Sequence, residues 1–215
     1  MKKVLAFFGA FNPPTVAHID MANIARKATG CEGVIFIPSQ NTYILNTQGK
    51  GWAYGNEHRL EMLANIARRR RWMKVSAHDI DAVYQPRTYE TLCHLREQGY
   101  EPRLLVGADV LASFEAAWEN VDKIIHEFGV VCVDRYDNGY AAAVINNSPF
   151  LQQFRDGIQI ISCSGVDLGI SSSDVRDTLD ELWALRDELE EMIPHEIFNG
   201  LVEPYKPMRG KEYET

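Results

Sequence analysis

Cysteine is scarce: Cys31, Cys93, Cys132 and Cys163 are the only four in 215 residues, and no two form a C-x-x-C pair. Such spacing argues against a zinc knuckle or a thioredoxin-like redox motif and suits a reducing compartment, so a cytoplasmic location is expected. No stretch of 18 consecutive apolar residues occurs, and no membrane span is expected. Positive charge is also short. Thirty acidic residues against 22 basic give a formal charge of -8, the wrong sign for a protein whose main task is holding nucleic acid. Neither G-x-x-x-x-G-K-[ST] nor G-x-G-x-x-G is present, which removes the P-loop ATPases and the ordinary dinucleotide dehydrogenases.

What remains is the composition of a globular protein, 46% apolar and 24% charged, with a mean hydropathy of -0.25. Lys2 and Lys3 followed by an apolar run imitate the front of a signal peptide. Gly9 and the Asn12-Pro13-Pro14 turn interrupt that run, so a buried strand is the better reading. Short apolar runs then recur at 4–8, 34–37, 73–75, 104–106, 130–133 and 158–161. Helical spacing separates them, as in Ile19, Ala22, Ile24 and Ala25, in Leu60, Leu63, Ala64 and Ala67, in Leu92 and Leu95, and in Val121, Ile124, Ile125 and Phe128. Strands alternating with helices call for a doubly wound parallel sheet, Rossmann-like, with helices on both faces and a helical C-terminal end. One α/β domain over 1–215 is expected.

Residues 40–56 are long for a connection and carry Gly49, Gly51 and Gly55, a candidate flap over a site. Residues 206–215 read as a frayed tail. The Arg68, Arg69, Arg70, Arg71 run sits at a predicted helix end, where cations offset the dipole, and reads as a solvated turn. His78, Asp79 and Asp81 are the only clustered metal-ligand types, expected on a solvated turn after the third strand.

Ligands of open parallel sheets bind beyond the carboxyl ends of the strands. Three motifs stand there. Gly9 to His18 (GAFNPPTVAH) leaves the first strand and enters a helix, with His18 near the N-terminus, where an imidazole can donate to a phosphate oxygen. Gly107-Ala108-Asp109 follows the fourth apolar run, and its carboxylate can accept from vicinal ribose hydroxyls or cap a helix. Ile170 to Arg176 (ISSSDVR) offers Ser171 and Ser172 hydroxyls, backbone N–H groups and the forked cation of Arg176 to a phosphate.

The first and third motifs resemble the G-x-F-x-P-x-[HT]-x-x-H and I-S-S-[ST]-x-x-R signatures of the nucleotidylyltransferase superfamily. LLVGADVL at 104–111, Phe114, Trp118, VVCVDR at 130–135, RTYETL at 87–92 and the stretch 193–205 are similar to nicotinamide/nicotinate mononucleotide adenylyltransferases. The resemblance implies attack of a pyridine mononucleotide phosphate on the α-phosphorus of ATP, giving NAD or its deamido form and pyrophosphate. By that resemblance His18 and Arg176 are the catalytic pair. Gly9, Ala10, Phe11, Thr15, His18, Gly107, Asp109, Ile170, Ser171, Ser172 and Arg176 form the ATP site, and Phe11, Asn12, Thr88 and Trp118 the mononucleotide site. Trp118 is preferred to Trp52 and Tyr84 for stacking on the pyridine ring. Magnesium is expected to arrive on the ATP phosphates, with no protein metal cage. ATP and the mononucleotide are the expected partners, with no nucleic acid or membrane, and a homo-oligomer is compatible with the sequence.

Two departures stand out. Thr15 occupies the place where many members carry a first His, although Thr occurs there in the branch favouring the amidated substrate. No basic residue follows the second strand at 38–41, leaving Lys50 as the nearby cation. A phosphopantetheine or cytidylyl transferase of the same superfamily, a catalytically silent nucleotide sensor and, more distantly, a metal hydrolase are the rival readings.

Overall fold

A computed structural model describes residues 1–49, 52–135, 138–163, 168–181, 186–198 and 200–201. Its strands are β1 (Lys2–Gly9), β2 (Gly33–Pro38), β3 (Met73–Val75), β4 (Tyr100–Gly107), β5 (Val130–Asp134) and β6 (Ile158–Ser162). All pair in parallel, in the order β3-β2-β1-β4-β5-β6. Every apolar run read from the sequence lies inside one of them. β4 begins earlier than its run because Tyr100 to Arg103 pair with Lys2 to Leu5 of β1.

Strand side chains alternate between faces, and each face buries its own apolar set. Leu5, Phe7, Val34, Phe36, Leu105, Val131 and Val133 share one cluster with α1 (Val16–Thr29), with Met62, Leu63 and Ile66 of α3 (Asn56–Ala67), and with C-terminal residues such as Ile193 and Phe198. Val4, Ala6, Ile35, Ile37, Leu104, Val106 and Cys132 form the other, with Leu92 and Leu95 of α5 (Thr88–Glu97) and Val121, Ile124 and Ile125 of α8 (Val121–Glu127). Burial on both faces explains why the strands read as nearly continuous apolar runs.

The shorter helices fill the connections. They are α2 (Asn41–Asn46), α4 (His78–Asp81), α6 (Ala108–Ala112), α7 (Phe114–Ala117), α9 (Tyr140–Asn147) and α10 (Pro149–Gln153), followed by α11 (Ser172–Glu181) and α12 (Arg186–Met192). Strand order reverses between β1 and β4, so the crevice beyond their carboxyl ends is where a ligand belongs. The predicted flap holds structure of its own. α2 occupies its first third, and Trp52 and Tyr54 are tied back to Asn12. Lys50 and the 206–215 tail lie outside the described residues. Arg70 is less solvated than a bare helix end: it donates to Glu196 at 2.6 Å.

Candidate active site

The loop after β1 is shaped by Phe11, whose φ of 45° lies in the left-handed region that non-glycine residues rarely visit. This turns its ring under the loop, 1% exposed, against Phe7, Phe36 and the edge of His18. A Cβ on Gly9 would stand 3.0 Å from that ring, so any other residue would have to push the ring aside by a few tenths of an ångström. Asn12 is fully buried, and its amide donates to Trp52 O at 3.1 Å while its oxygen accepts from Tyr54 N at 2.8 Å. Phe11 and Asn12 were expected to touch substrate. Their side chains build the loop from behind instead, because one is apolar enough to join the core and the other is the only amide there to tie the 52–54 segment.

Thr15 and His18 form a reciprocal cap at the start of α1. His18 N–H donates to Thr15 Oγ1 at 3.3 Å, and Thr15 N–H donates to His18 Nδ1 at 3.1 Å. A backbone N–H can only donate, so Nδ1 is the bare nitrogen of the neutral ring, and the Thr15 hydroxyl, 2.7 Å away, donates to it as well. Nε2 therefore carries the proton. Thr15, itself buried, sets a tautomer that makes His18 a hydrogen-bond donor.

Beyond β4, Gly107 leads into α6. A Cβ there would lie 2.5 Å from Asp109 Oδ1 and 3.2 Å from Arg135 Nε, so the glycine makes room for a charge pair. Arg135 Nη2 donates to both carboxylate oxygens of Asp109, at 3.0 and 3.1 Å. Asp109 keeps 62% of its side chain exposed, open to further donors.

The third motif docks on the first. Ser171 Oγ accepts from Ser173 N and Asp174 N, while Ser171 N donates to Asp174, a cap for α11. Ser172 Oγ donates to Pro13 O at 2.7 Å, and Arg176 Nη1 to Asn12 O at 2.8 Å and Ser172 O at 3.0 Å. Arg176 Nη2 donates to Ser173 Oγ at 3.0 Å, and the guanidinium carbon lies 5.9 Å over the Trp52 ring. These bonds use three of the five N–H groups of Arg176.

Arg59 pins the same loop from α3. It is fully buried and bonds only to neutral oxygens, those of Ala10 (2.8 Å), Ser39 (2.6 Å), Tyr54 (3.0 Å) and Asn56 (2.8 Å). Burial lowers its pKa to about 10, so it stays charged at neutral pH. On α3 it shares a stripe with Met62, Leu63 and Ile66, and a cation on an apolar stripe was the legible signal that sequence reasoning missed.

Past β3 the expectation fails. Asp79 is 1% exposed, not on a solvated turn, because α4 folds inward against α5. Thr91 Oγ1 donates to its Oδ1 at 2.7 Å and Gln85 Nε2 to its Oδ2 at 2.9 Å. Desolvation pushes its pKa up to about 6, with the two hydrogen bonds pulling the other way. Gln85 also donates to Pro86 O at 3.3 Å and accepts from Gln40 N at 2.7 Å. Across from it, Arg87 pairs with Glu119 at 2.8 Å.

A cavity of about 410 Å³ joins these parts. Gly9, Thr15, His18, Gly107, Asp109 and Ile170 line it from the predicted ATP set, and Thr88 and Trp118 from the mononucleotide set. Trp118 is partly buried, its ring 4.9 Å from that of Phe114. Ala10, Ser171, Ser172 and Arg176 are not among its lining residues, although Ser172 and Arg176 are bonded to the rim loop at Pro13 O and Asn12 O. Arg135, Asp79 and Gln85 line it too and were missed. Arg135 follows the strand end by one residue, and the positional filter that picked Asp109 would have found it. Among the described residues no three His, Cys, Asp or Glu side chains gather to hold a metal ion.

A model of the cytidylyltransferase-like family matches residues 6–178. A probable nicotinate-nucleotide adenylyltransferase of Maridesulfovibrio salexigens is 27% identical over 204 residues, covering 89% of this chain and 91% of its own. A nicotinamide/nicotinic acid mononucleotide adenylyltransferase 2 of Caenorhabditis elegans is 27% identical over 199 residues, covering 82% and 86%. In fold, the chain is similar to the Plasmodium falciparum nicotinic acid mononucleotide adenylyltransferase solved with NaAD, with a TM-score of 0.72 at 15% identity over 96% of this chain and 98% of the other. The chain belongs to the cytidylyltransferase-like family.

Proposed function

We propose that the protein is a nicotinamide/nicotinate-nucleotide adenylyltransferase, which joins a pyridine mononucleotide to the AMP moiety of ATP and releases pyrophosphate. A phosphate oxygen of the mononucleotide attacks the α-phosphorus of ATP as the bond to the β-phosphate oxygen breaks, and the electron pair leaves with pyrophosphate. The nucleophile is already anionic near neutral pH. No general base is required, and catalysis rests on alignment and on stabilising charge that builds on the phosphates.

One observation carries the reading. His18 lines the cavity at the N-terminus of the 14-residue helix α1, and the bonds that Thr15 makes to its Nδ1 put the ring proton on Nε2. A fixed donor beside a helix N-terminus suits an oxygen that gains charge only as the reaction proceeds. Asp109, exposed and oriented by Arg135, suits the adenosine ribose hydroxyls. Arg176, braced on Asn12 O, retains N–H groups for the leaving pyrophosphate. Trp118 and Thr88, which line the same cavity, suit the pyridine end. Magnesium entering with ATP would neutralise part of the triphosphate charge, held by phosphate and water oxygens.

Incubation with ATP and each pyridine mononucleotide, with pyrophosphate and dinucleotide both quantified, tests this. Equal release of the two products is expected. Turnover of phosphopantetheine, or of CTP in place of ATP, without pyridine dinucleotide would assign a different transferase. Tight ATP binding with no release would make the protein a sensor.

A further inference from the structure

Resting on the adenylyltransferase reading, we propose that Asp79 and Gln85 make this cavity selective for the carboxamide over the carboxylate of the pyridine ring, so that nicotinamide mononucleotide is the preferred substrate. The crevice straddles the strand reversal between β1 and β4. Asp109 and Arg135, at the ends of β4 and β5, occupy one side. The acceptor end of the ligand then falls toward β2 and β3, where Asp79, Gln85 and Thr88 line the cavity.

The hydrogen-bonding capacity of the Asp79–Gln85 pair is one-sided. Gln85 has two amide hydrogens, and both are donated, to Asp79 Oδ2 and Pro86 O. Asp79, as a carboxylate, has none. Each carboxylate oxygen accepts one bond, from Thr91 or Gln85, and retains a further lone pair, as does Gln85 Oε1 beyond its bond from Gln40 N. The pair thus offers acceptors and no donors. A carboxamide brings two N–H groups to such a wall, whereas a carboxylate brings two more lone pairs and a like charge.

Surrounding charge points the same way. Asp79 has no cation bonded to it, and the carboxylate of Glu90 near it is only partly countered by His94. Arg87, which also lines the cavity, is already held by Glu119 at 2.8 Å. Burial makes the mismatch costly, because Asp79 is 1% exposed and an oxygen set against its carboxylate finds little water to turn to.

The test compares kcat/KM for the nicotinamide and nicotinate mononucleotides at saturating ATP, in the wild-type protein and in two variants. The wild type is expected to favour the amide by about tenfold or more. Asp79→Asn removes the charge and adds a donor, and should cut that ratio by about tenfold. Glu119→Gln, an exposed change, frees Arg87 to meet a carboxylate and should lower the ratio by about threefold. Mononucleotide affinities from quenching of tryptophan fluorescence should move in parallel. A wild type that favours the acid overturns the selectivity while leaving the adenylyltransferase reading intact. A folded Asp79→Asn protein with an unchanged ratio removes Asp79 from the selection, and if that variant does not fold, an unmoved ratio in Glu119→Gln does the same for the charge argument. Absence of turnover with both mononucleotides would instead sink the proposed function itself.

Discussion

Two carboxylates, Asp109 and Asp79, stand beyond the carboxyl edge of one parallel sheet and line one cavity, yet they live in opposite surroundings. Asp109 is 62% exposed and grips a guanidinium through both oxygens. Asp79 is 1% exposed and has only a hydroxyl and an amide for company. The first can trade hydration for ribose hydroxyls at small cost and keep its charge. The second is kept ionised with difficulty, and any ligand group placed against it must donate. Position relative to the sheet tells where a site is. What a carboxylate does there depends on its burial and its partner.

The comparison assumes that both carboxylates serve one reacting centre, which His18 should break for both. His18→Ala is expected to lower kcat by about 10²-fold or more, whichever mononucleotide is supplied, the usual effect of losing one donor to a developing oxyanion. The loss of its share of the α1 cap should cost about 1 kcal/mol of stability. Stopped-flow or steady-state turnover beside a urea titration checks both, and full turnover in this variant would end the catalytic role of His18.

A pH series sharpens the contrast between the two environments. The folded protein holds the Asp79 proton to about pH 6, against 3.8 for the ordinary carboxyl. Its contribution to stability is complete below the unfolded value and is lost as pH rises through the folded one. Relative to wild type, Asp79→Asn should therefore gain about 2 kcal/mol in unfolding free energy between pH 4.5 and 7.5. A stability difference that does not change with pH would mean that Asp79 is not desolvated as described.

Smaller effects should separate by substrate. Asp109→Ala is expected to raise the KM for ATP by about tenfold while the mononucleotide KM stays within about twofold. Trp118→Ala should do the reverse, raising the mononucleotide KM about fivefold, since stacking is made in the ground state as well. A loss of ATP affinity in the tryptophan variant would exchange the two halves of the cavity.

Much of this was legible in the sequence because the fold is of the kind that writes itself clearly. A parallel sheet covered on both faces needs unbroken apolar strands, and residues such as Val34, Phe36, Leu105 and Val131 supplied them. His18 and Asp109, expected from their places beyond the carboxyl ends of β1 and β4, both line the cavity. Phe11 and Asn12 are buried behind the loop instead, because a motif does not say which way its side chains turn, and Phe11 has a φ of 45°. Asp79 sits in a four-residue helix, too short to show a period, so its burial had no local signature. Arg59 is the opposite case: the stripe was readable, but the reasons for placing a cation on it are the carbonyls of Ala10, Ser39 and Tyr54, which only the folded chain brings together.

The central claim is that His18, Asp109 and Arg176, drawn from three separate parts of the chain, act on one ATP molecule. A ³¹P NMR time course with ATP and nicotinamide mononucleotide follows that chemistry directly. The account predicts that the α, β and γ resonances of ATP disappear together while a dinucleotide diphosphate signal and free pyrophosphate grow in equal amounts. Appearance of ADP and orthophosphate, or an unchanged ATP spectrum at saturating enzyme, would contradict it.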